Sequence, residues 1–386
     1  MSCISKIGVV TSTRAEYGLF YPFLKELKKL QEFQLLLFVT GTHLSYEFGF
    51  TKNQIIDDGF KICEEIDCIV GNDTPQAIGK SSGLALMGMT DAFCRNKPDL
   101  LFVLGDRYEI LCTAVSANIC NIPIAHIHGG EITEGAADNN FRHAITKLSY
   151  FHFTSTEEYR QRVIQMGEYP ERVFNVGAIG IDNLKNIEPI KKEKLENDLG
   201  ISFLNRNVLL TIHPETLSPG TTNEHIKVII DCLKEMNDTF IIITGTNADS
   251  EGRLINRELK DFSKNNEHCY FIENLGLHRY ISILNYVDLV IGNSSSGIIE
   301  VPSFGIPTIN IGDRQKGRIR SKSIVDVDWN KYVILSAIKN CTKENYHKII
   351  NPYGDGHTTM RIIDQLQKIK INENYKKKFY DYKGFK

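Results

Sequence analysis

The feature that most constrains this chain is a change of hydrophobic period that recurs along it. Short runs of apolar and β-favouring residues lie at Lys6–Thr11, Gln34–Thr40, Leu100–Leu104, Pro123–His128, Tyr150–Thr154 and Val173–Val176. Longer stretches of helical spacing lie between them, such as Leu19–Leu30, Tyr108–Asn121 and Glu157–Met166. Strands that are apolar along their whole length are buried on both faces, which means a parallel sheet covered by helices on each side. The alternation restarts after residue 190, with Asn207–Thr211, Phe240–Gly245, Cys269–Ile272, Leu289–Gly292 and Pro307–Asn310. Between the two sets, Gly177–Lys192 carries Gly177, Gly180 and Pro189 and reads as a linker. The expectation is an α/β chain of two doubly wound domains, 1–180 and 181–357. A length of 386 residues suits two such domains better than one.

Composition excludes more than it selects. A net charge of −2 gives no electrostatic case for nucleic acid. No apolar run approaches a bilayer span, and Met1–Lys6 lacks the basic-then-apolar order of a secretory signal. Nine cysteines at irregular spacings, without a C-x-x-C pair, fit reduced thiols in a cytoplasm. Cys112 and Cys120 fall on one expected helix and read as core. The lysine-rich tail Tyr375–Lys386 reads as a solvated end. There is no G-x-G-x-x-G, so a tightly held NAD is not indicated. Gly79-Lys80-Ser81 is no P-loop, because Thr74 stands where that motif needs glycine.

Open parallel sheets bind ligands beyond the carboxyl ends of their strands, so the residues just after each strand carry the argument. After the first strand, Thr11-Ser12-Thr13-Arg14 offers helix caps and an arginine able to reach an anion. Thr40-Gly41-Thr42-His43 is a polar turn at the same edge, with a structural role. Asp106 and Arg107 come after Leu100–Leu104; Asp106 is either a helix cap or an acid/base group. The next strand ends His126-Ile127-His128-Gly129-Gly130-Glu131. Alternation puts His126 and His128 on one face, and two glycines let backbone approach a ligand. A zinc site there is conceivable, but the spacing is not a strong zinc pattern. Asp138 opens the next helix, Asn140–Ser149, as a cap or a catalytic group. In the second half, His213 before Pro214 is placed for proton transfer or phosphate contact. Asn247 suits a ribose or base contact, or a plain turn. Gly292-Asn293-Ser294-Ser295-Ser296-Gly297 ends a strand and starts a helix. Backbone N–H groups and serine hydroxyls there would cradle a diphosphate, with Glu300 in the helix's first turn or so accepting ribose hydroxyls.

Together these segments carry a resemblance. TSTRAEYG at Thr11–Gly18, LGDRYE at Leu104–Glu109, AHIHGGE at Ala125–Glu131, Asp138–Ser149 with its Arg-His-Ala-Ile-Thr-Lys, His213-Pro214 and Gly292–Glu300 make the chain similar to the hydrolysing UDP-N-acetylglucosamine 2-epimerases. These are bacterial enzymes of sialic and legionaminic acid synthesis. The resemblance implies a GT-B-like fold, two Rossmann-like domains with the active site in the cleft between them. It also implies a C-terminal helix, 358–386, crossing back onto the first domain. It implies a homodimer or homotetramer, a nucleotide-sugar substrate, and neither redox cofactor nor metal. Carried over by position, Asp106, Glu131, Asp138 and His213 match the acid/base set. Arg14, Ser294, Ser295, Glu300 and Arg314 match nucleotide-diphosphate contacts, and Asn247 matches more loosely. Some relatives have glutamate at the position of His128, which leaves His128 and Glu131 both open for the inner catalytic place.

The implied reaction converts UDP-N-acetylglucosamine to N-acetylmannosamine and UDP, by elimination to a glycal and rehydration. The same chemistry on UDP- or GDP-N,N'-diacetylbacillosamine is a second reading. A GT-B glycosyltransferase and a non-catalytic nucleotide-sugar sensor are others, which the set of carboxylates speaks against.

Overall fold

In the computed structural model every residue is described except 1–3, 72–73, 135–137, 216–219, 247–250, 342–345, 347–348, 371–375 and 382–386. The chain divides into two compact units. Unit one comprises Met1–Glu131, Asp138–Asn183 and Tyr353–Lys386; unit two comprises Ile132–Ala137 and Leu184–Pro352.

Unit one is a seven-stranded sheet in the order β3-β2-β1-β4-β5-β6-β7. Its strands are β1 (Lys6–Thr11), β2 (Gln34–Thr40), β3 (Ile62–Ile66), β4 (Leu100–Leu104), β5 (Ile124–Ile127), β6 (Phe151–Thr154) and β7 (Val173–Asn175). Every pairing is parallel. β4 is buried at all five residues, as a strand covered on both faces must be. One core cluster joins Ile7, Val9, Leu37 and Phe102 to Phe20 and Leu24 of the helix Arg14–Lys29 and to Ile362, Ile363 and Leu366. The other face gathers Val10, Phe38, Leu101 and Val103 against Met89 and Phe93 of the helix Pro75–Asn96. Gly79-Lys80-Ser81 lies inside that helix, which rules out a phosphate loop there.

Unit two is a six-stranded parallel sheet in the order β10-β9-β8-β11-β12-β13. Its strands are β8 (Asn207–Thr211), β9 (Phe240–Thr244), β10 (Cys269–Ile272), β11 (Leu289–Gly292), β12 (Thr308–Ile311) and β13 (Ile324–Val327). Both sheets therefore reverse strand order beside their first strand, at β1/β4 and at β8/β11. These are the topological switch points where doubly wound sheets open a crevice.

The ends of the units differ from the sequence expectation. The chain re-enters unit one at Tyr353, whose carbonyl accepts from Ala178 N–H at 2.7 Å. The next helix runs Thr358–Lys368 and stops there, with Ile369 extended. It does not continue towards 386. Asp182 receives the N–H groups of Thr358 at 2.8 Å and Thr359 at 2.5 Å, satisfying two of the donors that a helix start leaves open. Within 376–381, four of six residues are exposed as expected of a solvated end, but Lys377 and Tyr380 are half-buried and make contacts within unit one. Cys112 and Cys120 are only partly buried, and Cys120 Sγ lies 3.8 Å from Cys94 Sγ.

Candidate active site

At the switch point of unit one, the turns after β1, β4 and β5 gather buried polar groups. Glu16 accepts from the N–H and hydroxyl of Ser12 at 2.7 and 2.8 Å. Burial pushes its carboxyl up to about 7 against the pull of Arg107 and Ser12. Arg107 pairs with Glu109 through two bonds of 3.2 and 3.0 Å. Asp106 comes after Gly105 and forms an ion pair with Arg142, which also donates to the Glu131 carbonyl at 3.0 Å. Arg142 stands on the helix Asp138–Leu148, one turn after Asp138, which is exposed at the helix start.

His126 and His128 do not share a face. Alternation ends with β5 at Ile127, and His128 takes a left-handed φ of 66°. His126 is fully buried, with Nε2 2.8 Å from the Gly105 carbonyl and Nδ1 3.1 Å from Thr146 Oγ1. A carbonyl only accepts, so His126 carries its proton on Nε2. Burial pulls its pKa down to about 3, so the ring is neutral. His128 is held the other way round. Ile179 N–H donates to its Nε2 at 3.2 Å, which places the proton on Nδ1, 3.0 Å from Glu131 Oε1. Glu131 is buried and also accepts from Ser155 Oγ at 2.8 Å. His128 and Glu131 therefore form one linked pair, the imidazole N–H donating to the carboxylate. No group of three or more metal-ligating side chains is found among the described residues.

In unit two the switch point is closed by a reciprocal pair. His213 N–H donates to Asn293 Oδ1 at 2.7 Å, and Asn293 Nδ2 donates to the His213 carbonyl at 2.9 Å. The Asn293 carbonyl in turn accepts from Arg314 at 3.2 Å and Gln315 at 3.0 Å, which brings Arg314 to the same point. His213 Nδ1 lies 2.7 Å from Thr246 Oγ1. Burial first, and the Arg314 charge second, hold its pKa well below the ordinary histidine range. Gly292 has φ 137°, and a Cβ there would fall 1.9 Å from the Thr211 carbonyl oxygen.

The serine helix is shorter than expected. It spans Ser295–Ile299, with Ser294 at its N-cap position and no side-chain cap bond. The Ser296 hydroxyl is paired with Tyr280 OH. Glu300 sits at the C-cap rather than in the first turn. It is at the same time the N-cap residue of the 3-10 turn Val301–Phe304. Arg14 is exposed at the first position of its helix. Asn247 lies outside the described residues.

Sequence reasoning passed over Arg142, Ser155, Asn293 and Gln315 as site residues. Two of them carried a signal, since Ser155 stands directly after β6 and Asn293 directly after β11.

The fold is shared with solved proteins. The crystal structure of UDP-GlcNAc 2-epimerase from Neisseria meningitidis bound to UDP-GlcNAc matches with a TM-score of 0.81 at 20% identity, covering 94% of this chain and 100% of that one. The two Rossmann-like units thus form a GT-B-like α/β fold. Sequence similarity narrows the class. Polysialic acid biosynthesis protein P7 of Escherichia coli is 40% identical over 98% of both chains. GDP/UDP-N,N'-diacetylbacillosamine 2-epimerase (hydrolyzing) of Campylobacter jejuni is 40% identical over 84% of this chain and 85% of its own. The UDP-N-acetylglucosamine 2-epimerase family model matches residues 25–367, and the chain belongs to that family.

Proposed function

We propose that this chain is a hydrolysing 2-epimerase of a nucleotide-activated 2-acetamido sugar, with UDP-N-acetylglucosamine as substrate and N-acetylmannosamine plus UDP as products. The observation that carries the reading is the oriented carboxylate of Glu131, bound by His128 and Ser155 on the site edge of a family-matched fold. The C2–H bond of the sugar is not acidic, so inversion needs elimination. A carboxylate removes the C2 proton as the nucleoside diphosphate leaves C1, giving a glycal with a C1=C2 double bond. Water then adds at C1, and a proton returns to C2 from the opposite face.

Glu131 or Asp138 handles C2, and Asp106, paired with Arg142, orients water or balances charge. Arg14, Ser294, Ser295, Glu300 and Arg314 hold the nucleotide diphosphate. His213 protonates the leaving phosphate, although burial and the Arg314 charge favour its neutral, weakly acidic form before substrate arrives. An arriving diphosphate beside it and Arg314 supplies the negative charge that raises its pKa.

The second reading keeps the chemistry and changes the sugar to a UDP- or GDP-linked diacetamido trideoxyhexose. It is favoured by the 40% identity to the Campylobacter enzyme. We further propose a homo-oligomer in the cytoplasm. Among the described residues no helix is long and apolar enough to cross a membrane. Leu84 and Met87 of the helix Pro75–Asn96 are exposed apolar residues, Met87 by 61%, and suit burial against a second copy.

The test is incubation with each nucleotide sugar in deuterated water, with products followed by NMR. Free N-acetylmannosamine deuterated at C2 supports the first reading; turnover of only the diacetamido sugars supports the second. No turnover of any removes the epimerase reading. Glu131→Gln and Asp138→Asn should each lower kcat by roughly two to four orders of magnitude.

A further inference from the structure

The helix Asp138–Leu148 is tied to the rest of unit one at two points in its middle and last turns. Arg142 joins Asp106 and Glu131, and Thr146 meets His126. Its C-terminus has to satisfy the last four carbonyls. The Ile145 carbonyl accepts from Ser149 Oγ at 2.7 Å, Thr146 from Ser149 N–H at 3.1 Å, and Leu148 from Asn118 Nδ2 at 3.0 Å. The Lys147 carbonyl is satisfied by a residue 230 positions away. Lys377 Nζ donates to it at 2.5 Å and to the Ser149 carbonyl at 2.6 Å. The third donor of the same ammonium reaches Glu168 Oε1 at 2.8 Å.

The surroundings are shaped for this segment. Glu168 also pairs with Lys147 at 2.6 Å and His152 Nε2 at 3.0 Å. Burial alone would push the Glu168 carboxyl up, but His152, Lys377 and Lys147 together pull it down to about 2. The Phe379 ring occupies the space where a Cβ on Gly167 would stand, 2.4 Å away. Lys147 Nζ lies 4.9 Å from the centre of that ring. Tyr380 N–H donates to the Gly167 carbonyl at 2.9 Å, and its ring lies against Val163, Ile164 and Val173. A cation at a helix C-terminus is also favoured by the dipole.

We propose that residues 376–381 are a strap that holds the helix Asp138–Leu148 in place for catalysis, with Lys377 as the positioning residue. This rests on the proposed roles of Asp106, Glu131 and Asp138. Lys377 touches no reacting group. It acts by fixing the far end of a helix about 16 Å long, whose first turns carry Asp138 and Arg142. Misplacement of a catalytic group by about 1 Å can cost two orders of magnitude in rate.

Full-length Lys377→Met and Lys377→Arg tests it, with kcat, KM and hydrogen exchange of the helix amides measured well below the melting temperature. In Lys377→Met, exchange should quicken from the helix C-terminus back to Arg142. Its kcat should fall roughly tenfold or more while KM moves less than about threefold, and Lys377→Arg should restore most of both. Unchanged exchange at Arg142 overturns the proposal. So does faster exchange with kcat within about twofold of wild type, which would make the strap a stabilising tail only. Should the wild type turn over none of the sugars, the epimerase reading falls, and exchange at Arg142 decides the strap by itself.

Discussion

Two buried ionisable side chains set opposite pH expectations. Glu16 has its carboxyl raised from 4.5 to about 7 by burial, so the folded chain keeps a proton that the unfolded chain has lost. Its contribution to stability is full below pH 4.5 and is lost as pH rises through 7. Glu16→Gln, which cannot ionise, should gain on wild type by at most about 3 kcal/mol between pH 4.5 and pH 7.5, measured by urea unfolding at each pH. His213 concerns catalysis. Because burial and Arg314 lower its pKa in the free enzyme, the His213 ionisation should appear at lower pH in the kcat/KM profile than in the kcat profile. His213→Asn should remove it from the kcat profile. Residue types at the site were legible because chemistry-bearing side chains stand where strands end. Their partners were harder to see. The proton on His128 is placed by Ile179, which is 51 positions away and offers only a backbone N–H.

Among the elements, the buried strands announced themselves, and of the four edge strands β7 and β10 were legible while β3 and β13 were not. β4 and β11 are unbroken apolar runs, so their positions could be read directly. β3 (ICEEI) and β13 (IVDV) lie at sheet edges, carry acidic residues and are half exposed, which removes the hydrophobic signal. The serine-rich start at Ser294 was legible as a strand-to-helix turn, but the length of its helix was not. Pro302 sits in a 3-10 turn, Val301–Phe304, that ends the helix early and leaves Glu300 at its close. The junction before it is tight. Gly292→Ala would place a methyl group against the Thr211 carbonyl at a φ that L-residues rarely adopt. It should cost at least about 2 kcal/mol, seen as a lower urea midpoint.

At the scale of the molecule, the two-domain plan is legible in the restart of the strand–helix alternation. The return of the C-terminal helix to unit one was legible only through the family resemblance, because amphipathic spacing in Thr358–Lys368 says which face is buried and not against what. Ile362, Ile363 and Leu366 complete a core that begins with Ile7. A fragment of residues 1–183 should therefore be poorly soluble, and co-expression with 353–386 should recover a folded unit, judged by circular dichroism and gel filtration. Unit one is thus written on both sides of nearly all of unit two. At about 5–20 residues per second, roughly 10–40 s pass on the ribosome between the emergence of β7 and that of the last helix. Throughout that interval the helix Arg14–Lys29 lacks the cover that Ile362, Ile363 and Leu366 will give it, an exposed apolar face of the kind that makes a folding chain prone to aggregation.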